Sequence, residues 1–201
     1  MQQVYFARQL VRFARGTAGV TYLARGGRTG SEPDEAPLVA GPEPVDLEVR
    51  VRMTWHVPAP VVLDTAGDLL FPDLPRSPGI YRLTLSRAPG EGGRPRVYVG
   101  ESDNLRKRSS QYRRPGPTQY TSLRIHQDLR NHLRGGGTVT VEVATSAMIT
   151  ARGLSRDLSL ARKTARVLAE HAVLALTYLD DAAEVINRDR IAPARDLGGA
   201  I

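Results

Sequence analysis

Two tyrosines stand beside glycines in matching tripeptides, Gly79-Ile80-Tyr81 and Tyr98-Val99-Gly100. Residues 79–85 and 96–100 read as strands, and the Gly- and Pro-rich stretch 87–95 between them makes a hairpin. On neighbouring strands the two hydroxyls can converge on one water. A phenol is a poor base at its ordinary pKa of about 10, and nearby positive charge favours the phenolate. Arg108 is placed to supply that charge, two turns into the helix that follows, with Tyr112 four residues on and on the same face. An arginine fork also matches two oxygens of a phosphate. An activated water, a fixed cation and a neutralised leaving oxygen are what phosphodiester hydrolysis needs.

That chemistry also calls for a rigidly held carboxylate. Glu170 lies midway along an otherwise apolar helical run, Val167-Leu168-Ala169-Glu170-His171-Ala172-Val173. An acid in that setting is paired or functional.

The two tripeptides and the basic helix after them resemble the GIY-YIG nuclease family, which is named for such tripeptides on adjacent strands. The resemblance is close through residues 78–113, where Pro78-Gly79-Ile80-Tyr81 and Tyr98-Val99-Gly100 look like the repair and homing members. It is looser through 158–190, and together it covers roughly half the chain. It implies that Glu170 holds one Mg²⁺ or Mn²⁺ ion per site and that Asn187 supports the site through hydrogen bonds. Oxygen ligation with retained waters suits Mg²⁺. The products implied are a 5′-phosphate and a 3′-hydroxyl. Glu101 stands where repair-type members often carry a lysine that assists the base. The choice of Tyr81 or Tyr98 as base stays open.

The elements that must position these residues read as an α+β fold. A small, mainly antiparallel three-stranded sheet (79–85, 96–100, 138–144) is flanked by helices over 103–114, 121–134 and 158–179. Ser102 or Asp103 is available to cap the first helix. Ile125, Leu129 and Leu133 line one face of the second, and Gly135–Gly137 end it. Residues 76–201 form the nuclease-like domain and 1–75 an extension of unassigned role. Within the extension, Phe6, Leu10 and Phe13 are spaced as on a helix over 1–24, and 26–44 reads as an acidic Pro/Gly-rich linker. Residues 45–55 alternate as a strand, and the five prolines of 57–78 mark turns.

The 201 residues carry a net charge of +7, with only Lys107 and Lys163 as lysines among 28 basic residues. Between Asp103 and Arg134 eight bases face two acids. Arg106, Lys107, Arg113, Arg114, Arg124 and Arg130 of this stretch are the expected DNA contacts, with Tyr112 and Tyr120 interleaved. His126 and His132, six apart on a helix, are poorly spaced for zinc, and there is no cysteine. No apolar run is long enough to cross a membrane, and no secretory signal is present. The sequence therefore reads as a cytoplasmic, nucleoid-associated, metal-dependent DNA endonuclease of restriction, defence or repair type. One site cuts one strand, so double-strand cleavage would take a homodimer. The alternatives are a DNA-binding module on the same scaffold without catalysis, and an unrelated basic α+β protein that binds RNA.

Overall fold

In strand β5 (Gly79–Ser86) residues on both faces are buried, as expected of a central strand covered by helices on both sides. Tyr81, Leu83 and Leu85 point into one core, and Ile80 into the other. The computed structural model describes residues 11–12, 48–88, 90–180 and 182–187.

Strands β1 (Val11–Arg12), β2 (Glu48–Met53), β3 (Ala59–Leu63) and β4 (Leu69–Leu70) precede β5. Strand β6 (Arg96–Ser102) pairs with it antiparallel, and helices α1 (Leu105–Arg113) and α2 (Tyr120–Arg134) follow. Then come β7 (Thr138–Ala144), β8 (Ala147–Ala151), β9 (Leu154–Asp157), α3 (Lys163–Leu179) and β10 (Glu184–Val185). The main sheet has the order β10-β6-β5-β7-β3-β4, antiparallel except for the β10–β6 pair. Helices α1 and α2 cover one face through Leu105, Tyr112, Ile125 and Leu129. Helix α3 covers the other through Ala169, Val173 and Leu174. The α+β class stands, and the three expected strands form the antiparallel centre β6-β5-β7.

The sheet extends beyond that centre. Prolines masked β3 and β4 within 57–78, yet Val61 of β3 is buried and pairs with Val139. A second sheet, β1-β2-β8-β9, was only partly legible. The alternation expected over 45–55 is borne out over β2, Glu48–Met53, whose residues are alternately exposed and half-buried, while 45–47 lie outside the described residues. The β8–β9 hairpin turns on Arg152 and Gly153, with φ of 50° and 76°. Both residues of a tight type I′ turn need positive φ, and Asn-Gly is its usual signature; Arg-Gly gave no such signal. Residues 48–75, assigned from sequence to the extension, thus supply β2, β3 and β4 to the two sheets.

Residues 11–12 form a strand paired with β2 rather than part of a helix. The free edge of β2 offers backbone partners that outweigh local helical spacing. The remainder of the 1–24 helix and the 26–44 linker lie outside the described residues.

Two helix starts also differ. Asn104, rather than Ser102 or Asp103, caps α1, its side chain accepting from the Lys107 amide at 2.9 Å. Helix α3 begins at Lys163, because 158–162 is a turn closed by Arg162 N–H donating to the Ser159 carbonyl.

Candidate active site

The edge of β6 changes partner along its length. Its first part is covered by β10, which pairs Glu184 with Arg96 and Val185 with Val97. Asn187 then takes over with its side chain. Its Oδ1 accepts from the Val99 amide at 3.0 Å, and its Nδ2 donates to the Val99 carbonyl at 2.7 Å. Beyond Val99 no described strand covers this edge of β6. There a cleft of about 390 Å³ opens, lined among others by Tyr81, Tyr98, Glu101, Arg108, Arg166 and Glu170. Because successive strand residues point to opposite faces, an open edge lets groups from both faces of the sheet reach one space. Tyr98 and Gly100 lie on the side of α1 and α2, while Glu101 reaches toward α3.

On the first side three tyrosine rings cluster with centroids 6.1–6.4 Å apart. Tyr81 stands opposite Gly100 in the β5–β6 register, and a Cβ built on Gly100 would run into the Tyr81 ring and hydroxyl. Gly79 is equally constrained, since a Cβ there would meet the Ala144 carbonyl and the Leu105 side chain. These contacts account for a glycine in each tripeptide. The Tyr81 and Tyr112 hydroxyls are 2.6 Å apart, and Arg108 Nε donates to the Tyr81 oxygen at 3.1 Å. Arg108 Nη1 donates to Gln111 Oε1 and Ser122 Oγ, and its guanidinium lies 4.5 Å from the Tyr112 ring centre. Its Nη2 bonds no described residue and is left for the cleft. The Tyr98 hydroxyl likewise has no hydrogen-bond partner among the described residues.

Burial, with Tyr98 adding to it, pushes the Tyr81 hydroxyl well above its ordinary range, although Arg108 opposes the shift. Tyr112 is driven up by the same causes, burial first and then its two tyrosine neighbours. Burial alone would lower Arg108, but the oxygens of Tyr81 and Tyr112 outweigh it and hold the guanidinium charged. Both buried phenols therefore keep their protons near neutral pH.

On the second side α3 turns Ala165, Arg166, Ala169, Glu170, Val173 and Leu174 inward. Glu170 is 3% exposed and Arg166 6%. Sequence reasoning missed Arg166. Its Nε donates to Glu101 Oε2 at 2.5 Å, and its Nη1 donates to the carbonyls of Leu160 and Ala161 at 2.9 and 3.0 Å. A cation inside an apolar helical stripe was the available signal, of the same kind that marked Glu170.

The cleft thus gathers Tyr81, Tyr98, Arg108 and Glu170, while Tyr112 and Asn187 act from behind it on Tyr81 and Val99. None of the six expected DNA contacts lines it. Arg106 pairs with Asp73 and donates to the Leu74 carbonyl, Arg113 approaches Asp64, and Arg124 approaches Asp128. Arg130 reaches His126 at 3.4 Å and has a buried Nε with no partner, while Lys107 and Arg114 are exposed. The cationic lining comes instead from Arg108, Lys163 and Arg166, balanced by Glu101, Asp103 and Glu170. His126 and His132 are bound to the backbone carbonyls of Tyr112 and Ser86. No three His, Asp or Glu side chains cluster as a metal cage among the described residues. A buried carboxylate facing a cleft fits a hydrated Mg²⁺, which takes one or two carboxylates and keeps several waters.

No family model matches the chain, and no curated protein matches it. Among solved structures a mutant of bacteriophage T4 EndoII is similar at 20% identity and a TM-score of 0.36, over 61% of this chain and 85% of that one. No described helix is long and apolar enough to cross a membrane.

Proposed function

We propose that this chain is a metal-dependent endonuclease that hydrolyses phosphodiester bonds in DNA, built on a GIY-YIG-like site. The observation that carries the reading is the meeting of Tyr81, Tyr98, Arg108 and Glu170 in one cleft, from two faces of one sheet. A chain that had lost catalysis would have no need to keep all four together, which speaks against the binding-only alternative.

In this reading Glu170, with retained waters, would hold one Mg²⁺ or Mn²⁺ ion, and the chemistry such an ion would supply there is charge against the developing negative charge of the phosphate and leaving oxygen. Arg108 presents its free Nη2 to a non-bridging oxygen of the scissile phosphate, and its Nε bond to Tyr81 fixes the fork's orientation. Tyr98 is the better candidate to hold the attacking water, because its hydroxyl has no described partner. Tyr81 is already engaged by Tyr112 and Arg108, and burial keeps it a phenol, so it serves as a hydrogen-bond donor and orienter. Asn187 ends the pairing of β6 at Val99 and so keeps the edge beyond it open. One such site cuts one strand, and a double-strand break takes two protomers.

The test is incubation of purified protein with supercoiled plasmid and Mg²⁺. Nicked circles whose new ends carry a 5′-phosphate are expected. Salt-sensitive DNA binding with no nicking of ordinary, modified or branched DNA would return the chain to the binding-only class.

A further inference from the structure

Arg166 and Glu101 form a largely buried ion pair on the wall that also carries Glu170. Their side chains are 7% and 19% exposed, and Nε stands 2.5 Å from Oε2. Arg166 and Glu170 are one turn apart on α3, so their side chains are neighbours, with Cβ atoms about 5–6 Å apart. All three line the same cleft. Two carboxylates therefore lie within one arginine side chain of each other at the place where a divalent cation is expected. Arg166 is also tied to the Leu160 and Ala161 carbonyls. Its guanidinium is thereby fixed from the turn before α3 and is not free to leave Glu101.

Resting on the reading of Glu170 as the ion's ligand, we infer that Arg166 is a positioning residue that keeps Glu101 out of the ion's shell. It reserves the site for a single carboxylate and leaves room for a phosphate oxygen. Two free carboxylates would bind a divalent cation more tightly and repel the incoming phosphate. One carboxylate beside a fixed cation binds the ion weakly, with the remaining positions filled by water and substrate.

This reading gives an outcome whose sign a merely structural role cannot produce. Removing the charge of Arg166 tightens cation binding, whereas loosening a structural tie would weaken it. The experiment titrates Mn²⁺ alone into the full chain by calorimetry, without DNA. Arg166→Met is expected to bind Mn²⁺ about tenfold tighter than wild type, opposite in sign to the roughly 10–100-fold losses usual when a group beside a metal ligand is removed. Arg166→Met with Glu101→Gln is expected to return to the wild-type value. Arg166→Leu likewise removes the charge together with the donors to Glu101 and the Leu160 carbonyl. It is expected to tighten as well, and it stands in if Arg166→Met fails to fold. Equal or weaker Mn²⁺ binding by a folded neutral variant overturns the inference, as does no binding by any variant. Failure of the underlying reading looks different: Glu170→Gln would then bind Mn²⁺ as wild type does.

Discussion

The hydroxyls of Tyr81 and Tyr112 are 2.6 Å apart, joining strand β5 to helix α1 behind the cleft. Tyr112 is 1% exposed, so the bond is shielded from water, and Arg108 Nε completes the group from the same helix. The strand tyrosine is thereby held by two side chains of α1, four residues apart.

Alkali tests this group. Both phenols have their pKa raised by burial, so in the folded state they stay neutral beyond the pH at which an unfolded tyrosine ionises. Their contribution to stability is fully present below about pH 10, the unfolded value. It is lost as pH rises from there through the higher folded values. Wild type is expected to lose stability to urea steeply above about pH 10, with buried phenolate absorbance appearing only as it unfolds. Tyr81→Phe should flatten that loss. An equal alkaline loss in Tyr81→Phe and wild type would contradict it.

Gly100 is expected to tolerate no side chain. Gly100→Ala must displace the Tyr81 ring, and such overpacking costs about 1–3 kcal/mol. In a Tyr81→Ala background the same change should cost close to nothing, as a double-mutant cycle by urea unfolding would show. Equal cost in both backgrounds would mean that the ring is not what excludes a Cβ.

Much of this was legible in sequence. The tripeptides and Arg108 were found by their motif and spacing, and Glu170 as an acid in an apolar helical run; the cleft brings them together. Tyr112 and Asn187, expected with the site from motif and resemblance, act from behind the cleft on Tyr81 and Val99, a placement that depends on packing. Two of the arginines of α1, Arg106 and Arg113, have acidic partners, Asp73 and Asp64, from the loop before β5 and the β3–β4 turn, far away in sequence. Charge counted along the chain could not see that pairing. Arg166 carried a local signal, a cation in an apolar helical stripe, but its partner, Glu101, is 65 residues away, so the pair was not legible.

Those ion pairs change the expectation for DNA binding. Arg106→Ala, Arg113→Ala and Arg124→Ala should leave DNA affinity and its salt dependence nearly unchanged, while costing some stability. Lys163→Ala, at the cleft, should weaken binding and reduce the slope of log K against log salt by about 0.9, the value for one lost phosphate contact. Titrations at several salt concentrations check both. A larger loss of slope from Arg106→Ala than from Lys163→Ala would restore the sequence-based assignment.

Asn187→Ala removes both bonds to Val99, each worth about 1 kcal/mol net. The expected result is faster hydrogen exchange at the Val99 amide, stability lower by about 1–3 kcal/mol with the exposed partners counted, and slower cleavage with DNA binding kept. Unchanged exchange at Val99 would show that another group guards that edge.

The most direct measurement is single-turnover nicking of plasmid in Mg²⁺, alongside DNA affinity, for wild type, Glu170→Gln, Arg108→Ala and Tyr98→Phe. Groups from both faces of the sheet acting on one phosphate should give variants that bind DNA within a few-fold of wild type and cut at least about a hundredfold more slowly, the lower bound for a lost acid–base or charge-stabilising group. Cutting by Glu170→Gln at the wild-type rate would contradict the account, because the α3 face would then have no part in the chemistry.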